Sequence, residues 1–382
     1  MIERRALLAR GLWTAGALAM PRLAVARAAT DRRLVFVIQR GAADGLSIVA
    51  PVDDPLFAAT RGVLAADFAS APRLGGGFAL HPALARTQAL FGQKQALFVH
   101  AVASPYRDRS HFDGQNVLET GGARAYAVKD GWLNRLLMLL PADGARAIAV
   151  APTVPMALRG AREVSSYAPS ALPDASDDLI ARVSAMYEDD ARLHALWNEA
   201  VATRLLTGDI AAEGGRQAAA TGALAARLLS AEGGARIATV EAGGWDTHAG
   251  QQGRIARQLA GLDALLGALR DGMGALWADT LVIVATEFGR TVAVNGTGGT
   301  DHGTASVAWL LGGGVKGGRV AGDFPGLAPS ALHDGRDLKP TGSLDAVMSD
   351  AIAEHFAIDP ARTLATLFPG AATAGAGRVE VS

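Results

Sequence analysis

The chain has 382 residues, 50% of them hydrophobic and 19% charged, with a formal net charge of −1 and no cysteine. That much apolar material excludes disorder as the dominant state and suffices for one large α/β domain. Balanced charge gives no electrostatic footprint for nucleic acid, and the missing thiols exclude disulfides, thiolate metal sites and cysteine nucleophiles. Any metal must therefore be held by His, Asp, Glu or hydroxyl groups.

Residues 1–29 read as an export address. Arg4 and Arg5 form a twin-arginine pair, an apolar stretch follows over 11–20, and small residues occupy 24–29 around Arg27. This is the layout of a signal peptide of the twin-arginine (Tat) type, which delivers folded proteins through the Tat translocon to the periplasm or the exterior. The apolar run is too short to span a bilayer, and no later run is long enough, so no stable membrane span is expected in the mature protein. The segment carries five arginines and one glutamate, so its removal leaves 31 basic and 36 acidic residues.

Short apolar runs at 34–38 (LVFVI), 96–102 (ALFVHAV), 147–151 (AIAVA), 237–240 (IATV), 281–285 (LVIVA) and 306–311 (SVAWLL) are of the kind buried in parallel sheets. Helical patterns lie between them. One covers 132–140, and a longer one covers 255–277, with Ile255, Leu259, Leu262, Leu266, Leu269 and Met273 at three-to-four spacing. Ser343 is placed to cap a last helix through His355, with Asp345 and Asp350 on its polar side. The alternation predicts one domain over 30–382, a three-layer α/β sandwich with a mostly parallel central sheet. Region 152–232 departs from it: Pro152, Pro155, Pro169 and Pro173 break the chain, and one or two helices follow, read as a helical insertion. The Gly-rich loop 312–318 has neither GxGxxG nor a Walker Lys-Ser/Thr pair and reads as a turn.

In a parallel sheet, ligands bind beyond the C-terminal ends of the strands, and five such segments converge on acids and histidines. Asp44 follows the first run, Ser110 and His111 the second, Asp246 and His248 the fourth, Glu287 and Arg290 the fifth, and Asp301 and His302 precede the sixth. A lone Asp-Gly is a turn, and a lone strand-end His is ordinary scaffolding. Together, the pairs of hard oxygen and imidazole form a mix suited to Zn²⁺ or Mn²⁺. Glu287 ends a wholly apolar strand, where its charge needs a partner, either a metal or Arg290.

The motifs GAADGL, RSHFDGQNVLETG, DGWLNRLL, GGWDTH, ATEFGRT and TDHG, in that order, resemble the DUF1501 proteins, exported bacterial proteins related to the alkaline phosphatase/sulfatase superfamily. The resemblance runs from about Arg33 to Phe356. It implies an alkaline phosphatase-like fold and a site with one or two divalent metal ions, held by Asp44, Asp246, His248, Glu287, Asp301 and His302. It also implies that Ser110, at the start of a helix, is the hydroxyl nucleophile; a plain helix cap is the alternative for that residue. The implied reaction is hydrolysis of phosphate or related sulfate or phosphonate esters of a small molecule or glycan. In that reaction Arg290, Arg109 or Arg107 would grip the non-bridging oxygens and His111 would act as ligand or general acid. Two features depart from the pattern. Glu287-Phe288 stands where relatives carry Asp-His, and the segment Ala103-Ser104-Pro105-Tyr106-Arg107 has Ala at the position that sulfatases modify, which disfavours a formylglycine enzyme. A non-catalytic periplasmic binding or scaffold protein that retains the metal site is the competing expectation.

Overall fold

In the computed structural model, residues 31–141, 146–168, 177–187, 189–198, 200–201 and 218–372 are described; the export address over 1–29 lies outside them. Twelve strands are present among the described residues: β1 Arg33–Gln39, β2 Val49–Ala50, β3 Arg73–Gly75, β4 Phe78–Leu80, β5 Ala96–Ala103 and β6 Ala147–Val150 in the first half, then β7 Ser165–Ser166, β8 Ile237–Ala242, β9 Thr280–Thr286, β10 Ser306–Leu311, β11 Arg319–Ala321 and β12 Gly342–Ser343. All six apolar runs are strands.

The main sheet has the order β11-β5-β10-β9-β1-β8-β6-β7, with β12 paired to β5. β1 is parallel to β8 and β9, and β6 is parallel to β8 and β7. β10 is antiparallel to both neighbours, β5 and β9, while β11 and β12 are parallel to β5. Every strand but β10 therefore runs the same way. The segments that leave β1, β5, β8 and β9 and the one that enters β10 consequently all emerge at one edge of the sheet. β2, β4 and β3 make a separate small antiparallel sheet.

The sheet is mostly parallel because its residues are apolar on both faces and each face has helices to cover it. Along β1, Val35 and Val37 join one core cluster with Leu224, Ile255, Leu259 and Leu266. The alternate residues Leu34, Phe36 and Ile38 join a second cluster with Trp132, Leu136, Val347 and Leu367. The first layer is built by the helices Ala85–Gly92, Ala218–Ser230 and Gln251–Met273, the second by Trp132–Leu139, Leu344–Phe356 and Pro360–Leu367. Each fully buried aliphatic side chain of these clusters contributes about 1.5–3 kcal/mol.

Three details differ from the sequence reading. The long helix begins at Gln251 rather than Ile255 and stops at Gly274, whose φ of +52° breaks it; a 3₁₀ turn, Gly274–Asp279, follows. Asp345 is not on a polar side: it is fully buried in the first turn of Leu344–Phe356, although Ser343 does cap that helix by accepting from the Ala346 amide. Within 152–232, β7 extends the sheet beside β6, and Ala218–Ser230 packs directly against Gln251–Met273 as part of the layer. No helix among the described residues is long and apolar enough to cross a membrane.

Candidate metal centre

The shared sheet edge brings four loops to one place. The loop after β1 crosses the loop after β8 at Gly41, where φ is +115° and a Cβ would lie 2.6 Å from the Asp246 backbone nitrogen, so glycine is required there. The segment between β9 and β10 folds back on itself through a bridge between Arg290 and His302. Gly303 permits this fold, since a Cβ at that position would meet the Arg290 carbonyl carbon at 2.4 Å. The helix His111–Thr120 follows β5 and lays its first turn over Glu287 and Phe288.

Three imidazoles and one carboxylate converge where these loops meet. In each imidazole the Nδ1 atom is engaged by an oxygen. His111 Nδ1 lies 2.8 Å from Glu287 Oε1, His248 Nδ1 lies 3.0 Å from Asp301 Oδ1, and His302 Nδ1 lies 3.0 Å from the Arg109 carbonyl. Those oxygens only accept, so each Nδ1 carries a proton, and each Nε2 is left either as a lone pair for a cation or, when protonated, as a donor. The Nε2 atoms face Asp246. His248 Nε2 is 2.9 Å and His302 Nε2 3.2 Å from Asp246 Oδ1, and the two Nε2 atoms are 3.0 Å apart. His111 Nε2 is 3.5 Å from Asp246 Oδ2 and is buried with no hydrogen-bond partner. In the neutral imidazoles the His248 and His302 Nε2 lone pairs face each other and the carboxylate, an arrangement that a proton or a metal ion among them relieves. Two ligands of one ion at about 2.1 Å are themselves about 3.0–3.4 Å apart, the spacing seen here. The ligand atoms of His111, Asp246 and His302 all lie within 4.8 Å of one another. Oriented imidazoles backed by carboxylates and a carbonyl are the surroundings a metal-binding histidine requires.

The electrostatics differ from one imidazole to the next. Burial pushes His302 below the ordinary imidazole range, reinforced by the charges of His111 and Arg290 and only partly offset by Asp246, which favours its neutral, ligating form. Burial would raise Asp246, but His302, Arg290 and His248 outweigh it and hold the carboxylate below its usual value. Glu287 is wholly buried, yet the His111 and Gln115 side chains and the Gly41 amide keep it ionised. The same Glu287 hydrogen bond raises His111. Arg290 is 1% exposed, and burial lowers its pKa against the pull of Asp246. Its Nη2 pairs with Asp246 Oδ1 at 3.0 Å, while Nε and Nη1 have no hydrogen-bond partner.

The residues singled out from the sequence fall into separate groups. Asp246, His302, His248 and His111 stand at the centre. Glu287 and Asp301, expected as ligands, stand behind imidazoles instead, because each carboxylate faces an Nδ1. Arg290 touches the central carboxylate. Asp44 is elsewhere: its Oδ2 is taken up by Arg61, Ser47 and Gln251, and its Oδ1 accepts from the Leu46 amide. Ser110 occupies the N-cap position with an extended backbone, but its hydroxyl makes no capping hydrogen bond, while its amide donates to the Tyr106 hydroxyl. Trp245 is buried, and its indole donates to the Ala242 carbonyl. Sequence reasoning missed Phe288, whose ring stacks on His111 at 5.1 Å and meets His302 at 5.3 Å, forming an apolar wall. It also missed Asn295, which donates to Asp301 and to the His248 carbonyl. An aromatic beside a strand-end acid was the available signal for Phe288; nothing local marked Asn295.

Fold and site together give an α/β protein whose sheet edge gathers His111, Asp246 and His302 as a candidate metal-binding group, with His248 beside Asp246. The chain belongs to the family described as "Protein of unknown function (DUF1501)", whose family model matches residues 94–364. None of the curated proteins compared with it matches. Among solved structures it is similar to the C-terminal periplasmic domain of EcEptC from Escherichia coli in complex with Zn, at 9% identity and a TM-score of 0.35, covering 74% of this chain and 72% of that one. It is also similar to the phosphonate monoester hydrolase of Agrobacterium radiobacter, at 12% identity and a TM-score of 0.35, covering 76% of this chain and 70% of that one.

Proposed function

We propose that the protein is an exported, metal-dependent hydrolase of phosphate or related esters, reached through the Tat route and acting on a small-molecule or glycan ester. The observation that carries this reading is the set of Nε2 atoms gathered around Asp246. His111, Asp246, His302 and His248 would hold a divalent ion, with Zn²⁺ or Mn²⁺ matching the nitrogen-rich donor set. Bound there, such an ion supplies Lewis acidity toward an ester oxygen. Arg290 supports an anionic substrate, because its buried guanidinium, paired with the central carboxylate, fixes a positive charge beside the ion site. Ser110 stands at a helix N-terminus with its hydroxyl free of capping duty, as a nucleophile requires. Its oxygen would form a bond to phosphorus as the ester bond breaks, the serine proton would pass to the departing alcohol, and water would then cleave the phosphoserine bond to release phosphate and restore the hydroxyl.

The test is elemental analysis of mature protein purified without chelators, beside Asp246→Ala, with both assayed on aryl phosphate, sulfate and phosphonate esters. Bound Zn or Mn and turnover should both be lost in the variant, with rates falling at least a hundredfold. Retained turnover in Asp246→Ala would sink the reading. Metal bound to a wild-type chain without turnover, and no phenotype in Ser110→Ala, would favour the binding or scaffold protein.

A further inference from the structure

Asp44 ends the loop after the first strand and faces the same sheet edge as the metal centre, yet it is wholly engaged. Its partner Arg61 is completely buried. Arg61 Nη2 donates to Asp44 Oδ2 and, at 2.7 Å, to Ser47 Oγ, while Nη1 donates to the carbonyls of Thr291 and Val292 at 3.2 and 2.9 Å. Gln251 Nε2 donates to the same Asp44 oxygen, and Ser47 Oγ does so at 2.8 Å.

A cation site needs several lone pairs aimed at one point. Around Asp246 the structure supplies three imidazole nitrogens beside the Arg290 guanidinium; around Asp44 it supplies N–H and O–H donors and no imidazole. The contrast lies in the donor chemistry of the two carboxylates, which are both strand-end aspartates. We infer that the chain binds one metal ion per molecule, because the Arg61 guanidinium fills the place beside Asp44 as a fixed, covalently attached cation. An ion entering there would have to expel Arg61 from its carboxylate and leave a buried guanidinium facing two backbone carbonyls, which is unfavourable.

The same network fixes the loops of the metal centre. Gln251 Oε1 accepts from Thr247 Oγ1 at 3.0 Å and from Thr300 Oγ1 at 2.6 Å. Thr247 lies between Asp246 and His248, and Thr300 directly precedes Asp301 and His302. Arg61, through Thr291 and Val292, braces the segment that carries Arg290. The ion pair thus stands where it can brace the donors of the single centre.

This inference rests on the metal-centre reading above, and counting ions separates the two. Full-length mature protein is stripped with chelator, saturated with Zn²⁺, dialysed, and its zinc counted by mass spectrometry. The wild type should hold one zinc per chain, His302→Ala none, and Asp44→Asn one at saturating zinc. Two zinc ions in the wild type, one of them surviving in His302→Ala, would overturn the single-ion inference and leave the metal centre standing. Loss of zinc from an Asp44→Asn variant with an unchanged circular dichroism spectrum would overturn it as well. If Asp44→Asn does not fold, the wild-type and His302→Ala counts decide by themselves. No zinc in the wild type would remove the metal centre and the inference with it.

Discussion

At the scale of single residues, the site is organised by oxygens that hold the imidazoles rather than by the central donors alone. Glu287 never approaches the centre, yet it decides which nitrogen of His111 is free. Replacing it with glutamine removes the charge that keeps the proton on Nδ1 and leaves the volume unchanged. Glu287→Gln should weaken zinc binding about 10–100-fold with the fold intact. Competition against a chromophoric chelator measures this directly, and unchanged affinity would show that the carboxylate does not orient the ring. From sequence, Glu287 looks like a ligand because a charged residue at the end of an apolar strand needs a partner. That much holds, and the partner is His111, which no local pattern identifies.

At the scale of elements, the helix Leu344–Phe356 shows a capping rule and a burial exception side by side. Its start at Ser343 is set by local chemistry and was legible in the sequence. The burial of Asp345 was not, since an acid in the first turn of a helix ordinarily faces solvent and the favourable end of the dipole. Here the turn is covered because β12 pairs with β5 and draws the helix start against the sheet. Neither Asp345 oxygen has a hydrogen-bond partner, and burial raises its carboxyl to about 7, with Arg107 pulling the other way. The folded pKa lies above the ordinary 3.8, so the folded state binds the extra proton between those values. The associated stability is therefore present below about pH 4 and lost as pH rises through 7. Asp345→Asn should stabilise the protein at pH 8 by on the order of 3 kcal/mol and change little at pH 4. Urea unfolding at the two pH values checks this; equal stability of variant and wild type at pH 8 would count against the unpaired acid.

At the scale of the whole molecule, two histidines far from the centre set the response to acid. His100, fully buried in β5, bonds through Nε2 to the Val49 carbonyl, and burial lowers its pKa to about 4. His355 bonds to the Arg33 carbonyl, and burial likewise lowers it to about 4. Both are neutral when folded and titrate near 6.5 when unfolded. The unfolded chain therefore binds more protons between pH 6.5 and 4, and stability falls as pH drops through that window. His100 alone accounts for about 3 kcal/mol. Metal-free Asp345→Asn protein should show this loss in denaturant titrations at pH 7, 5 and 4, since chelation removes any contribution from metal release and the substitution removes the opposing contribution of Asp345. A flat profile would place both imidazoles in contact with water.

The sequence by itself determined the strands, the layered α/β architecture and the segments that meet at the sheet edge. It could do so because continuous apolar runs and helical periodicity are local properties of the chain. It also placed Asp246, His248, His302 and His111 at strand ends that share one sheet edge, since a strand end in a parallel sheet is a place as well as a position. What only the tertiary structure decided is which atom faces which. Glu287 and His111 are 176 residues apart, and Gln251 reaches Asp44 across 207. Whether a strand-end carboxylate meets imidazoles is settled by such contacts. Asp246 and Asp44 look alike in the chain and each meets a guanidinium, but the fold gathers imidazoles around Asp246 and none around Asp44, because side-chain direction depends on packing between distant segments.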